Sequence, residues 1–318
     1  MEILEKLGLC GIVPVVVLDR AEDAVPTANA LLAGGIDVME ITFRTAAAAD
    51  AIRAVAQGVP GMLVGAGTVL NAEQTRTALE AGAQFIVSPG FSREQAAYCA
   101  ERETPLVPGC ATPTEIMAAM QCGLSVLKFF PANVYGGLPA MKALSAPFSG
   151  VRFIPTGGVS GENLSEFAAA PFVHAVGGSW ICSKADIAAG NFEKITALCK
   201  AAVQTLHSFA FAHVGVNSVD ESAAADAAGA FARAFGAPLR AGSSSIFAGN
   251  AIEIMKTPFR GEKGHLGFAV NSIPRALGYL AKQGFTADMS SARYKGGRMS
   301  AVYLNEELGG FALHLIAR

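Results

Sequence analysis

The sequence predicts an α/β chain: a parallel (β/α)8 TIM barrel followed by a smaller α+β domain built by internal duplication. Three observations carry that reading. Eight short apolar runs alternate with helix-period segments up to about His207; the composition shifts near Ser208, beyond which no cysteine occurs; and the stretch that follows repeats itself.

The apolar runs are Gly11 to Leu18, Asp37 to Arg44, Met62 to Val69, Phe85 to Pro89, Leu106 to Ala111, Val126 to Pro131, Arg152 to Thr156 and Val173 to Gly178. Between them lie segments such as A-A-A-A-D-A-I-R-A-V-A-Q, N-A-E-Q-T-R-T-A-L-E-A-G and S-R-E-Q-A-A-Y-C-A, with alanine-rich faces, acids in the first turn and glycine stops. Strand and helix alternating at a repeat of about 20 to 25 residues give a parallel sheet, and eight such units close into a barrel. An open doubly wound sheet is the alternative, but no G-x-G-x-x-G follows the first run. A helix from Asn191 to about His207 ends this part, so the boundary falls between domains 1–207 and 208–318. Past it, H-V-G-V-N-S-V-D from His213 is echoed by H-L-G-F-A-V-N-S-I-P from His265, with helix-period segments Glu221 to Phe235 and Arg275 to Gln283 after them. G-N-A-I-E-I from Gly249 is likewise echoed by G-F-A-L-H-L from Gly310. Each half reads strand, helix, then several strands.

With 318 residues, 52% of them hydrophobic, the chain has ample apolar surface for two cores. A formal net charge of -2 gives no footprint for nucleic acid or an anionic membrane. The apolar runs fall far below the roughly 18 residues of a spanning helix, and M-E-I-L-E-K-L lacks the basic start of a signal peptide. The expectation is a cytoplasmic protein with no nucleic-acid or membrane partner. Cys10, Cys99, Cys110, Cys122, Cys182 and Cys199 form no CxxC pair and read as reduced core thiols.

In S-V-L-K-F-F-P-A, Lys128 stands among Val126, Leu127, Phe129 and Phe130, where a buried strand should be continuously apolar. Burial of an ammonium costs several kcal/mol unless it is paired or loses its proton, and a neutral lysine is an amine nucleophile. The plain alternative is a lysine whose stem is buried and whose head reaches water. In V-M-E-I-T-F-R, Glu40, Thr42 and Arg44 share one face by period-two alternation. Either Glu40 pairs with Arg44, or it approaches Lys128, since strands two and six of an eight-stranded barrel are opposite. A neutral Lys128 adds to a ketone, and the iminium then draws electrons from a breaking carbon–carbon bond while Glu40 moves protons. Arg44 suits a two-point grip on a carboxylate, with Thr68 of G-A-G-T-V adding a hydroxyl. Together these describe a lysine-dependent aldolase acting on a 2-oxo acid, with no metal or other cofactor needed for cleavage. P-T-G-G and G-G-S close the last two barrel runs, where loops commonly hold phosphate.

V-M-E-I-T-F-R-T, G-A-G-T-V, F-I-V-S-P-G-F, L-V-P-G-C-A-T-P-T-E, L-K-F-F-P-A, F-I-P-T-G-G-V and G-G-S-W resemble the 2-keto-3-deoxy-6-phosphogluconate / 4-hydroxy-2-oxoglutarate aldolase family over roughly residues 1 to 205. The resemblance implies Lys128 as Schiff-base residue, Glu40 as acid/base, and Arg44 with Thr68 at the pyruvyl carboxylate. It further implies Pro89 and Phe130 as pocket walls, Gly157, Gly158, Gly178 and Ser179 near the phosphate, and a homotrimer. Two positions depart from the family pattern: Ala46 follows R-T where proline is common, and Asn133 follows F-P-A where an acid is common. A phosphosugar isomerase or epimerase, or a sugar-phosphate sensor without turnover, would share the glycine loops but has no use for an iminium lysine.

The repeat in the tail puts four metal-ligand candidates at two equivalent positions: His213 with Glu253, and His265 with His314. Such a set suits a divalent metal in five- or six-fold coordination. From about Phe209 to Arg318 the tail resembles the vicinal oxygen chelate superfamily, the glyoxalase and extradiol dioxygenase fold of paired βαβββ modules. His314 stands where that pattern commonly has glutamate, which argues against glyoxalase proton chemistry. A metal-free binding module is the other reading of this domain.

Overall fold

The computed structural model describes residues 2–318, and the chain divides into two compact units, the first ending at Leu206 and the second running His207–Arg318. The strands of the first unit are β1 (Ile12–Val16), β2 (Val38–Thr42), β3 (Leu63–Gly67), β4 (Ile86–Ser88), β5 (Leu106–Pro108), β6 (Val126–Phe129), β7 (Arg152–Pro155) and β8 (Val176–Gly178). They lie within the apolar runs of the sequence, each trimmed at one end or both. Six pair in parallel in the order β5-β4-β3-β2-β1-β8, and β6 pairs in parallel with β7. Isolated parallel bridges join Gly109 to Lys128, Phe153 to Val173 and Thr156 to Gly177. The unit is therefore an α/β fold around a curled parallel sheet, with helices in the crossovers as parallel pairing demands. Helix starts follow local chemistry: Thr112 and Glu115 form a reciprocal capping box, and Asn71 and Ser92 cap their helices by accepting backbone N–H bonds.

The inner cluster of this sheet is Val13, Val38, Leu63, Phe85, Val87, Val107, Val126, Ile154 and Ala175, and Leu7 packs into it. Most of these residues sit at or near the N-terminal ends of their strands. The helix Ile3–Cys10 presents Ile3, Leu4, Leu7 and Cys10 on one face and covers that end. This helix was not among the elements expected from the sequence. With one end of the sheet filled by hydrocarbon, inward polar side chains are left to the C-terminal ends.

The second unit contains β9 (Ala210–Asn217), β10 (Leu239–Ala241), β11 (Ser245–Ala248), β12 (Ile252–Met255), β13 (His265–Val270), β14 (Ala287–Lys295), β15 (Arg298–Leu308) and β16 (Phe311–Ala317). They form one sheet in the order β10-β11-β12-β9-β13-β16-β15-β14, with β9 and β13 antiparallel at its centre. β9 is parallel to β12 and β13 is parallel to β16, so the two halves have the same connectivity: strand, helix, three strands. The helix Glu221–Phe235 packs Ala224 and Ala228 on Ile246 and Ile254; the helix Ile273–Ala281 packs Ile273 and Ala276 on Val270, Val302 and Leu315. The latter helix starts two residues before the expected Arg275, because Pro274 fits the first turn. By strand alternation and register, all these contacts lie on one face of the sheet. The other face carries Glu253, His213, His265, His314 and Tyr303. None of the six cysteines is in a disulfide, and burial pushes the Cys99 and Cys110 thiols up to about 11 and about 12, respectively. Among the described residues no helix is long and apolar enough to cross a membrane.

Candidate active site

Strand alternation carries the inner cluster upward into polar residues. From Val38 it leads to Glu40 and Thr42 on β2, from Leu63 to Gly65 and Gly67 on β3, and from Val126 to Lys128 on β6. Lys128 Nζ donates to Glu40 Oε1 at 3.5 Å, and both side chains are buried. Of the two partners open to Glu40 in the sequence, the structure thus pairs it with Lys128 rather than Arg44. The carboxylate occupies space left by Gly67: a Cβ there would lie 1.9 Å from Oε1. The Phe130 ring centroid is 5.4 Å from Nζ.

Arg44 Nε donates to Thr68 Oγ1 at 3.3 Å. Thr68 has φ 55°, a left-handed conformation that β-branched residues rarely adopt and that costs on the order of 1–3 kcal/mol. The Thr42 and Thr156 hydroxyls are buried without a hydrogen-bond partner. Thr156 escaped the sequence reading, where it figured only as the threonine of P-T-G-G. Its signal was there: it stands two positions beyond Ile154, on the inward alternation, and faces a space that a Cβ at Gly177 would fill, 2.3 Å from Oγ1. Such hydroxyls cost about 1–3 kcal/mol each when nothing meets them. Gly157 and Gly158 both have positive φ, at 89° and 84°, and a Cβ at Gly157 would lie 3.5 Å from the Phe130 ring. The Pro89 carbonyl packs directly on Gly109, Gly178 lies beneath the Trp180 ring, and Ser179 is exposed at the end of β8.

In the second unit, the four metal-ligand candidates meet. His213 Nε2 is 3.2 Å from His265 Nε2, 3.0 Å from His314 Nε2 and 3.2 Å from Glu253 Oε2, while Glu253 Oε2 is 3.2 Å from His265 Nε2. Register explains the convergence. Gly267 lies between His213 and His314 in the sheet, and Gly215 lies between Glu253 and His265. The imidazoles lean into the room these glycines leave: a Cβ at 267 would fall 2.5 Å from His213 Cε1, and one at 215 would fall 1.9 Å from His265 Cε1. Ser245 Oγ donates to Glu253 Oε1 at 2.6 Å, and Tyr303 stacks on His314 at 4.7 Å between centroids. Neither residue carried a signal in the sequence, since both depend on pairing across strands. Burial pushes the His314 imidazole down to about 3, aided by the two neighbouring histidines. Glu253 is held well below the usual carboxylate range: burial opposes this, but hydrogen bonds from His213, His265 and Ser245 outweigh it. A neutral imidazole and an ionised carboxylate are the ligating forms.

Comparison with known proteins bears on the first unit. The family model described as KDPG and KHG aldolase matches residues 3–198. The 2-dehydro-3-deoxy-phosphogluconate aldolase of Treponema pallidum is 50% identical over 202 residues, spanning 64% of this chain and 96% of that one. The KHG/KDPG aldolase of Escherichia coli is 47% identical over 193 residues, 61% of this chain and 91% of its own. A crystal structure of KDPG aldolase from Legionella pneumophila, with pyruvate captured as a covalent carbinolamine intermediate, superposes with a TM-score of 0.60 at 41% identity. It covers 62% of this chain and 97% of that one.

Proposed function

The chain belongs to the KDPG and KHG aldolase family, and we propose that its residues 1–207 cleave 2-keto-3-deoxy-6-phosphogluconate to pyruvate and glyceraldehyde 3-phosphate through a lysine Schiff base, with 4-hydroxy-2-oxoglutarate as a second substrate. The observation that carries this reading is the buried Lys128–Glu40 pair at 3.5 Å. Passing its proton to the adjacent carboxylate frees the Lys128 amine to attack the C2 carbonyl. The carbinolamine so formed takes that proton back from Glu40 onto its hydroxyl and loses water, giving an iminium and restoring the carboxylate. Glu40 then takes the C4 hydroxyl proton as the C3–C4 bond breaks; the bond's electron pair moves toward the iminium as an enamine, and the aldehyde departs. Return of a proton to C3 and hydrolysis release pyruvate and restore the amine. Arg44 and Thr68 hold the substrate carboxylate, and the unmet hydroxyls of Thr42 and Thr156 are available to substrate oxygens. Pro89 and Phe130 wall the pocket, and Gly157, Gly158, Gly178 and Ser179 receive the phosphate. Borohydride reduction in the presence of pyruvate, followed by peptide mapping, should fix the label on Lys128; a label only on Lys142 or Lys184 would overturn the reading.

The bridges from Gly109 to Lys128 and from Thr156 to Gly177 support a closed (β/α)8 TIM barrel, since they link the β6-β7 pair to both ends of the six-stranded sheet. We assign the barrel a homotrimeric assembly and a cytoplasmic location on family resemblance.

For residues 208–318 we infer a vicinal oxygen chelate domain of paired βαβββ modules holding one divalent cation through His213, Glu253, His265 and His314. The donor set fits such an ion. With bonds of about 2.1 Å, two donors at right angles around a metal lie about 3.0 Å apart, and four of the six donor separations here are 3.0 to 3.2 Å. His213 Nε2 meets three polar atoms but carries one lone pair or one proton, so hydrogen bonds alone leave the cluster unsatisfied. A bound divalent ion would supply Lewis acidity to a ligand oxygen. Within the chain, Ser245 holds one oxygen of Glu253 and leaves the other to face the imidazoles.

A further inference from the structure

The face that carries the four proposed ligands also carries a guanidinium with no carboxylate beside it. Arg240 on β10 lies directly across from Phe247 on β11, Phe247 across from Glu253 on β12, Glu253 across from Gly215 on β9, and Gly215 across from His265 on β13. Directly paired residues project from the same face of a sheet, so Arg240 shares the ligand face, two strands out from Glu253. Its guanidinium stands 4.9 Å from the Phe247 ring centroid, and that ring meets His213 edge-on at 5.7 Å. On the opposite flank, Arg260 stands 5.1 Å over the Tyr303 ring, which stacks on His314, but Arg260 is paired with Asp288 at 2.5 Å. The ligand cluster is thus walled by two aromatic rings that each bear an arginine. Of these two arginines, Arg260 is neutralised by Asp288, whereas no carboxylate pairs with Arg240 among the described residues.

Charge counting then limits what the site can accept. Three neutral imidazoles and one carboxylate leave a divalent ion with a net charge of about +1, where the glutamate in place of His314 would have cancelled it. A second positive centre, Arg240, stands two strand spacings from Glu253, about 10 Å between their backbones, much of which the arginine side chain spans. We propose that the second unit binds a small organic anion with two acid groups, one on the cation, the other on Arg240 and the intervening carbon chain against Phe247. Dicarboxylates and phosphorylated acids share this chemistry. The inference rests on the metal reading above and adds to it the class of ligand.

The test uses the full chain loaded with Co2+, whose visible absorption reports on its own ligand sphere and is blind to binding in the first unit. The chain is titrated with 2-oxoglutarate, 3-phosphoglycerate and pyruvate. One or both of the two-acid compounds should perturb the spectrum at concentrations about tenfold to a hundredfold below pyruvate, the range for a charge-assisted contact. The tighter of the two identifies the second acid group as carboxylate or phosphate. Arg240→Gln should erase that advantage while leaving pyruvate binding and the aldolase rate unchanged. Equal affinities for all three, or an advantage that survives in Arg240→Gln, would overturn the inference while the cation site stands. Failure of Co2+ to bind at all would bring down the metal reading and the inference together.

Discussion

Gly67→Ala tests whether the position of the Glu40 carboxylate governs turnover. The added methyl would sit 1.9 Å from Oε1 and 2.5 Å from both Cδ and Cγ of Glu40. Carbon and oxygen need about 3.2 Å or more, so the carboxylate must withdraw by about 1.3 Å from its present place. Misplacement of a reacting group by about 1 Å costs on the order of 10^2 in rate, and full loss of a positioned acid/base costs about 10^2- to 10^4-fold. The expected result is a fall in kcat of at least about 10^2, with borohydride trapping of pyruvate on Lys128 slowed but retained because the lysine itself remains. Gly65→Ala is the matched control. Its methyl would meet the Phe85 ring at 2.4 Å in the apolar layer below, so it should lower the melting temperature by overpacking worth about 1–3 kcal/mol while sparing kcat at permissive temperature. Near wild-type turnover in Gly67→Ala, or equal kinetic damage in both variants, would refute the assignment of proton transfer to Glu40.

Two further outcomes are expected from the second unit. Gly267→Ala places a methyl 2.5 Å from His213 Cε1 and 2.7 Å from His314 Nε2, and should weaken Co2+ binding, measured by equilibrium dialysis, by about tenfold or more; wild-type affinity would remove the proposed ligand set. His207 is pushed down to about 4 by burial, then by the charges of Arg275 and Lys282, against 6.5 for the free group. The unfolded chain therefore takes up the proton first: the stability contributed is complete above pH 6.5 and is lost as the pH falls toward 4, by about 3 kcal/mol. Amide protection across the helix Ile273–Ala281, taken as the exchange rate relative to a free amide at the same pH, should fall over that window, and the same fall in His207→Gln would exclude His207 as the cause.

How far the sequence could be read depended on whether a signal was local or arose only from pairing. The runs that became β1 to β8 were visible because strands buried on both faces are continuously apolar, and Lys128 was visible because it broke one of them. Trimming at the strand ends was not visible, because a run such as Leu106 to Ala111 stays apolar past the point where its ladder stops at Pro108. The helix Ile3–Cys10 was passed over because its apolar face has meaning only once an open end of the sheet exists for it to fill. The choice of Lys128 over Arg44 as the partner of Glu40 was likewise undecidable from one strand, where Arg44 lies on the same face and is the nearer in sequence. Ser245, Tyr303 and Arg240 gain their relation to the histidine cluster only through a register that spans up to six strands.

Both units place glycines inside strands beside their polar groups. Glycine is a poor strand residue, with no side chain to pack and a larger entropy loss on ordering, so its presence inside a strand requires a neighbour that needs the space. Gly67 admits the Glu40 carboxylate, Gly177 the Thr156 hydroxyl, Gly215 the His265 ring, and Gly267 the rings of His213 and His314. In each case the neighbour is one of the polar groups assigned chemistry above, reached through an adjacent strand rather than along the chain. Gly65, which admits Phe85, shows that the same vacancy also serves apolar packing. What separates the cases is the alternation: Gly67 lies one step beyond Gly65 on the inward face, on the side where the hydrocarbon layer ends. A strand glycine therefore marks a close approach, and its height above the core decides whether what approaches is hydrocarbon or a reactive group.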